Sequence, residues 1–86
     1  MSMNDKQRRT LEAIFGDPIS PSIAWGDIES LFRACGAEIT EGRGSRIRVE
    51  LNGKYAVFHR PHPQPAADKG SVRSVRRFLN DAGVTP

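Results

Sequence analysis

The dipeptide Asn52-Gly53 constrains this chain most, because it separates two runs in which apolar and polar residues alternate. The runs are Arg46–Leu51 and Lys54–His59. A two-residue turn of type I′ needs a positive φ at both central positions, which asparagine and glycine tolerate better than other residues. The pattern therefore predicts an antiparallel β-hairpin with a two-residue turn.

The register of this hairpin follows by counting outward from the turn, which places Arg46 opposite His59. Successive side chains of a strand point to opposite faces, so the residues divide into two sets. The set predicted to face the core is Ile47, Val49, Leu51, Ala56 and Phe58. The set predicted to face outward is Arg46, Arg48, Glu50, Tyr55, Val57 and His59. A slip of one residue would bury the arginines, so the register is well specified.

The length and composition predict one small soluble domain. The chain has 86 residues, 37% of them hydrophobic and 27% charged, which are ordinary values for a globular protein. No apolar run approaches the ~20 residues of a membrane span or resembles a signal peptide, so we expect a cytoplasmic protein. Cys35 is the single cysteine, which excludes an internal disulfide and a multi-cysteine zinc site.

The charge is distributed unevenly along the chain. Residues 1–41 contain four Lys or Arg against seven Asp or Glu, whereas residues 42–86 contain nine against three. A basic half of this kind favours a polyanionic partner, most simply a nucleic acid. The alternative is that the basic residues form only a solvated surface.

Periodicity and capping signals predict three helices and one further strand. A helix over residues 4–15 begins at Asn4, with Gln7 at the spacing of a capping box. A second helix over residues 26–35 has an apolar stripe, with Trp25 packing at its entry. A strand covers residues 37–41, and a last helix runs from 69 or 70 to 82. The predicted order is α-α-β-β-β-α, an α+β sandwich with the helices on one face of a three-stranded antiparallel sheet.

The last helix has a basic outer face and a start suited to phosphate. The basic residues predicted on the outer face are Lys69, Arg73, Arg76 and Arg77. The sequence Lys69-Gly70-Ser71 offers an ammonium, backbone amides and a hydroxyl at the helix start, where Asp68 or Ser71 is expected to cap.

Four segments follow one another between residues 31 and 84, namely LFRACGAE, GRGSR, RPHP and KGSVRSVRRFLNDAGV. By the order and spacing of these segments, the chain from residue 26 to residue 83 resembles the HicA-type toxins of bacterial HicA–HicB toxin–antitoxin pairs. It implies a fold like that of double-stranded-RNA-binding domains, ribosome-independent mRNA cleavage, and a HicB-like antitoxin that covers the active face. Residues 22–86 would form this domain, and residues 1–21 an additional helix and linker that either completes the core or supports a homodimer.

The sequence departs from the family at the catalytic motif. The family usually has Gly-Ser-His with a catalytic histidine, whereas this chain has Gly44-Ser45-Arg46. Because Arg46 is predicted to lie opposite His59, we expect His59 to act as general base or general acid and Arg46 to stabilise the phosphorane. His62, between two prolines, is a second acid–base candidate. The outward face carries one carboxylate, Glu50, so no metal site and no cofactor are predicted.

Further residues are predicted to contact RNA, and two other functions stay open. The predicted contacts are Arg43, Ser45, Arg48, Tyr55, Arg60, Lys69, Arg73 and Arg77. The presence of Arg46 in place of histidine favours the first alternative, a non-catalytic module that binds RNA or an antitoxin. The second alternative is an interaction domain whose basic face meets an acidic protein.

Overall fold

The computed structural model describes residues 2–86 and has the predicted α+β architecture. Its elements are α1 (Asp5–Ile14), α2 (Trp25–Ala34), β1 (Glu38–Glu41), β2 (Arg46–Leu51), β3 (Lys54–His59) and α3 (Lys69–Asp81). The strands form one antiparallel sheet in the order β1-β2-β3. This layout is consistent with a fold like that of double-stranded-RNA-binding domains. None of the helices among residues 2–86 is long and apolar enough to cross a membrane.

The hairpin has the predicted turn and register. Asn52 has a φ of 52° and Gly53 a φ of 78°, as a type I′ turn requires. Counting outward, every predicted pair is present, from Leu51 opposite Lys54 to Arg46 opposite His59. The Asn52 side-chain amide also donates to the carbonyl of Ala82 at 2.7 Å, which fixes the turn to the end of α3.

One face of the sheet forms the core with the helices, as predicted. Ile47, Val49, Leu51 and Phe58 are buried, and Ala56 is partly buried. The ring of Phe58 lies 5.7 Å from that of Phe32 in α2 and 5.9 Å from that of Phe78 in α3, measured between centroids. This aromatic cluster packs both helices against the same face, so the opposite face of the sheet stays exposed.

Local sequence signals predict the caps of α1 and α3 and the glycines that follow α2 and α3, whereas α2 begins at Trp25 without a side-chain cap. Asn4 and Gln7 form the capping box of α1, and the carboxylate of Asp68 caps α3 by accepting from the Ser71 amide at 2.6 Å. Gly36 and Gly83 follow the ends of α2 and α3 with φ values of 86° and 84°. Both helices end in a Schellman motif, which satisfies their last carbonyl groups.

The α1 helix shares the core of the rest of the chain. Leu11 and Ile14 are buried in the same apolar cluster as the sheet and the other helices. Arg76 was predicted on the outer face of α3, and this prediction is wrong. Its guanidinium instead donates to the carbonyls of Ile14 at 2.8 Å and Gly16 at 2.7 Å. The last carbonyls of a helix have no partner within it, and a long cationic side chain can reach them.

Candidate functional site

The two histidines of the chain line one cleft. His59 ends β3 and His62 lies in the following proline-rich loop, and together with the start of α3 they enclose about 410 Å³. Asp68 and Ser71 contribute the α3 side of this cleft. The fold thus brings two imidazoles, a carboxylate and a hydroxyl to one concave surface.

His59 also lines a second, adjoining groove of about 320 Å³ between β3 and α3. His59, Asp68 and Ser71 line both the cleft and the groove, so these three residues form the boundary between the two depressions. The Ser71 amide lowers the pKa of the Asp68 carboxyl below its usual value by donating a hydrogen bond to it. Sequence reasoning treated Asp68 only as a helix cap. The sequence did contain a signal that Asp68 lies near the cleft: Asp68 stands three residues before Ser71, at the start of a helix, and directly follows a loop that contains a histidine.

Arg46 and His59 face each other on the exposed side of the sheet. Counting from the hairpin turn, they form a non-hydrogen-bonded pair, the kind whose side chains approach most closely. The amide of Arg60 donates to the carbonyl of Ser45 at 2.8 Å, so the ladder continues one step beyond this pair. The Gly-Ser turn before β2 is therefore held beside the start of the loop that carries His62.

Arg60 is engaged by two carboxylates. Its Nε and Nη2 donate to Glu29 at 2.7 and 3.0 Å, and its Nη1 and Nη2 donate to Glu41 at 2.6 and 2.8 Å. Glu29 is buried, and it also accepts a hydrogen bond from the indole of Trp25. The bonds from Arg60 hold the pKa of Glu29 below its usual value, although burial acts in the opposite direction. The guanidinium that the sequence suggested for RNA contact thus has carboxylate partners within the protein.

The loop that carries His62 is hydrogen-bonded to the first residue of α2 and to the segment before it. The amide of Trp25 donates to the carbonyl of Pro65 at 2.8 Å, and the amide of Ala67 donates to the carbonyl of Ile23 at 2.9 Å. With the ion pairs of Arg60 at its other end, the loop is anchored on both sides of His62. The loop at the rim of the cleft is therefore held at two places, by the ion pair of Arg60 with Glu29 and by the backbone hydrogen bonds to Ile23 and Trp25.

The remainder of the exposed sheet face carries an aromatic ring and two carboxylates. The guanidinium carbon of Arg48 lies 4.3 Å from the centroid of the Tyr55 ring. Glu38 of β1 lies directly opposite Glu50. The expectation of a single carboxylate on this face is wrong, because it left out the pairing of β1 with β2. Residues 2–86 contain no group of three or more His, Cys, Asp or Glu placed to hold a metal ion.

Four of the residues predicted to contact RNA lie on two different surfaces, the exposed sheet face and the outer side of α3. Arg48 and Tyr55 belong to the exposed sheet face. Arg73 and Arg77 lie on α3 around a depression that they share with Phe15 and that has no lining residue from the sheet. Since α3 covers the opposite side of the sheet, these two pairs of residues do not form one continuous surface.

Comparison with known protein families assigns the chain to a family. Residues 25–84 match the family model for the HicA toxin of bacterial toxin–antitoxin systems, which covers more than two thirds of the chain. The chain belongs to the HicA toxin family. Neither the comparison with curated proteins nor that with solved structures yields a match.

Membership of the HicA family confirms the sequence-based resemblance and implies an antitoxin protein as a partner. The matched range contains the cleft, the sheet and the departure at Arg46, whereas α1 lies outside it. The division into residues 1–21 and 22–86 stays a prediction.

Proposed function

We propose that this protein is the toxin of a HicA-like toxin–antitoxin pair, and that it binds RNA and cleaves mRNA without a metal ion. The observation that carries the proposal is the position of His59, opposite Arg46 on the exposed sheet face and in the same cleft as His62. Arg46 occupies the position at which the family usually has its catalytic histidine. The cross-strand neighbour therefore supplies the imidazole that the motif lacks.

The proposed reaction is attack by a ribose 2′-hydroxyl on the adjacent phosphorus. One histidine takes the 2′-hydroxyl proton as the bond from O2′ to phosphorus forms, and the other gives a proton to the 5′-oxygen as its bond to phosphorus breaks. His59 and His62 fill these two roles, and Arg46 stabilises the charge that develops on the phosphorane. The products are a 2′,3′-cyclic phosphate and a 5′-hydroxyl, so the atoms balance without water or metal.

Residues next to those that line the cleft in the sequence or across the ladder supply the proposed phosphate contacts. Arg43 and Ser45 lie in the turn before β2, and Lys69 begins α3 beside Ser71. Cations and hydroxyls of this kind position a nucleic-acid backbone without reading its sequence. A HicB-like antitoxin that covers the cleft would block both the histidines and these phosphate contacts, so it would inhibit the toxin by occlusion.

The second candidate is a non-catalytic module of the same fold that binds RNA or the antitoxin. It is favoured by one observation, the arginine that follows Gly44-Ser45 where the family has histidine. In that case His59 and His62 contribute only to the shape of the cleft.

An RNA cleavage assay in EDTA separates the two functions. It compares the natural protein with His59→Ala, His62→Ala and Arg46→Ala, and uses Arg8→Ala on the exposed surface of α1 as the matched control. We expect cleavage by the natural protein and the control, and a loss of cleavage in His59→Ala, which still binds RNA. Normal cleavage by His59→Ala contradicts the role of His59. Binding without any cleavage by the natural protein establishes the non-catalytic module.

A further inference from the structure

The exposed sheet face carries a site that the cleavage chemistry does not use. We infer that the exposed side chains of Arg48, Tyr55 and Glu50 form a surface site for one unpaired RNA base, called the base pocket below, which makes single-stranded RNA with an amino-bearing base the substrate class. The inference rests on the proposed function, since it places the pocket beside the proposed cleavage site.

The Tyr55 ring contacts the guanidinium of Arg48 and is also exposed to solvent. The guanidinium carbon of Arg48 lies 4.3 Å from the ring centroid, within the range of a cation–π interaction, so the arginine orients the ring. Tyr55 is nevertheless 57% exposed, far more than an aromatic residue that serves the core. An oriented and exposed ring on an open sheet is the arrangement on which single-stranded RNA stacks its bases.

The charges on this face are ordered along the strands. Arg46 and Arg48 lie towards the cleft, whereas Glu50 lies directly opposite Tyr55 and has Glu38 opposite it on the other side. A carboxylate repels a phosphate but accepts hydrogen bonds from the N–H groups of a base. The order therefore places phosphates over the arginines and a base edge at Glu50.

Glu50 also limits which base fits the pocket. Its carboxylate oxygens accept only, so a base with an exocyclic amino group satisfies them best. Adenine, cytosine and guanine carry such a group, whereas uracil offers only its N3–H, which lies between two carbonyl oxygens that a carboxylate repels. The pocket is therefore expected to discriminate against uridine.

The distance along β3 defines which nucleotide is read. Tyr55 and His59 lie four residues apart on the same face, which corresponds to about 14 Å along the strand. That separation exceeds the reach of a single nucleotide, so the pocket takes a flanking base and not the nucleotide whose 2′-hydroxyl reacts.

The substrate must be unpaired at this position. In a duplex each base is stacked on both sides and its pairing edge is occupied, so it cannot stack on Tyr55 or donate to Glu50. A fold like that of double-stranded-RNA-binding domains suggests recognition of duplex shape. The aromatic ring and carboxylate on the sheet face favour a single strand instead.

The test measures RNA binding in a His59→Ala background, so that cleavage does not consume the probe. Fluorescence anisotropy is recorded with labelled oligonucleotides rich in adenosine or in uridine, and with a duplex of the same sequence. Tyr55→Leu keeps an apolar strand residue without a ring, and Tyr55→Phe keeps the ring. We expect Tyr55→Leu to weaken single-strand binding roughly 5- to 150-fold, and Tyr55→Phe to leave it near the parent value.

Glu50→Gln tests base selection, and Glu12→Gln on the exposed surface of α1 is its matched control. We expect the preference for adenosine over uridine to fall in Glu50→Gln only, because a neutral amide also donates and so satisfies a uracil oxygen. Thermal unfolding of each variant, followed by circular dichroism, checks that the fold is retained.

Each outcome decides between this inference and the proposed function. If RNA is bound and cut but Tyr55→Leu binds as the parent does, the base pocket is wrong and the proposed function stands. Preference for the duplex likewise overturns the pocket alone. If the natural protein binds none of the oligonucleotides, both fall.

Discussion

The guanidinium of Arg60 joins the buried carboxylate of Glu29 in α2 to the carboxylate of Glu41 in β1. Since Arg60 directly follows His59, this ion-pair network fixes the end of β3 to both the helical layer and the edge of the sheet. The position of His59 in the cleft therefore depends on contacts made by its neighbour.

We expect Glu29→Gln to lower the free energy of unfolding by about 1–3 kcal/mol, because it removes a buried charged acceptor of both Arg60 and Trp25. Glu41→Gln is the matched control: its side chain is 66% exposed, so we expect a smaller loss than in Glu29→Gln. Urea unfolding followed by circular dichroism measures both values. Equal losses in the two variants would show that burial of Glu29 adds nothing.

The same ion pair makes stability depend on pH. The pKa of Glu29 is lowered from 4.5, first by the hydrogen bond from Arg60 and against the effect of burial. A lowered pKa contributes stability that is present above the unfolded value and is lost as the pH falls through the folded value. The difference in unfolding free energy between the natural protein and Arg60→Met should therefore be constant above about pH 5.5 and shrink below about pH 4.5. Urea titrations across this range test the sign, and a constant difference down to about pH 3 contradicts it.

Arg76 is expected to matter more for stability than its neighbour Arg73. Arg76→Ala removes the donors to the carbonyls of Ile14 and Gly16, so we expect a loss of about 1–3 kcal/mol. Arg73→Ala alters an exposed side chain of the same helix and should change stability by no more than about 0.5 kcal/mol. Chemical denaturation compares them, and similar losses would argue against a role of Arg76 in holding α1.

Two substitutions at Asn52 separate its backbone role from its side-chain role. Asn52→Gly tolerates the φ of 52° but loses the hydrogen bond to Ala82, which we expect to cost about 0.5–1.5 kcal/mol. Asn52→Ala loses the same bond and adds about 1–2 kcal/mol of strain, because alanine disfavours a positive φ. The midpoints of urea unfolding give the order. An alanine variant as stable as the glycine variant would show that the turn rearranges.

Salt dependence identifies the surface that contacts RNA. We expect Arg48→Gln to reduce the slope of log affinity against log salt by about 1, because one phosphate contact is lost. The double variant of Arg73→Gln and Arg77→Gln should leave the slope unchanged, since α3 faces away from the exposed sheet. A reduced slope in the double variant only would place the RNA on α3 instead.

The sequence alone determined the features that depend on neighbouring residues. The hairpin register follows from a turn that Asn52 and Gly53 require and from the two-residue period of a strand. The caps at Asn4 and Asp68 follow from side chains that reach backbone amides three residues away. The alternation also placed Arg46 opposite His59, which is the center of the proposed site.

Only the tertiary structure decided the contacts between residues far apart in the chain. The bonds of Arg60 to Glu29, and of Arg76 to the end of α1, join segments whose approach depends on how the helices pack. Alternation along one strand predicts a face, but it does not predict the pairing of β1 that brings Glu38 to Glu50. Long charged side chains reach partners in several directions, so the packing of the layers decides which arginines bind the protein and which stay exposed.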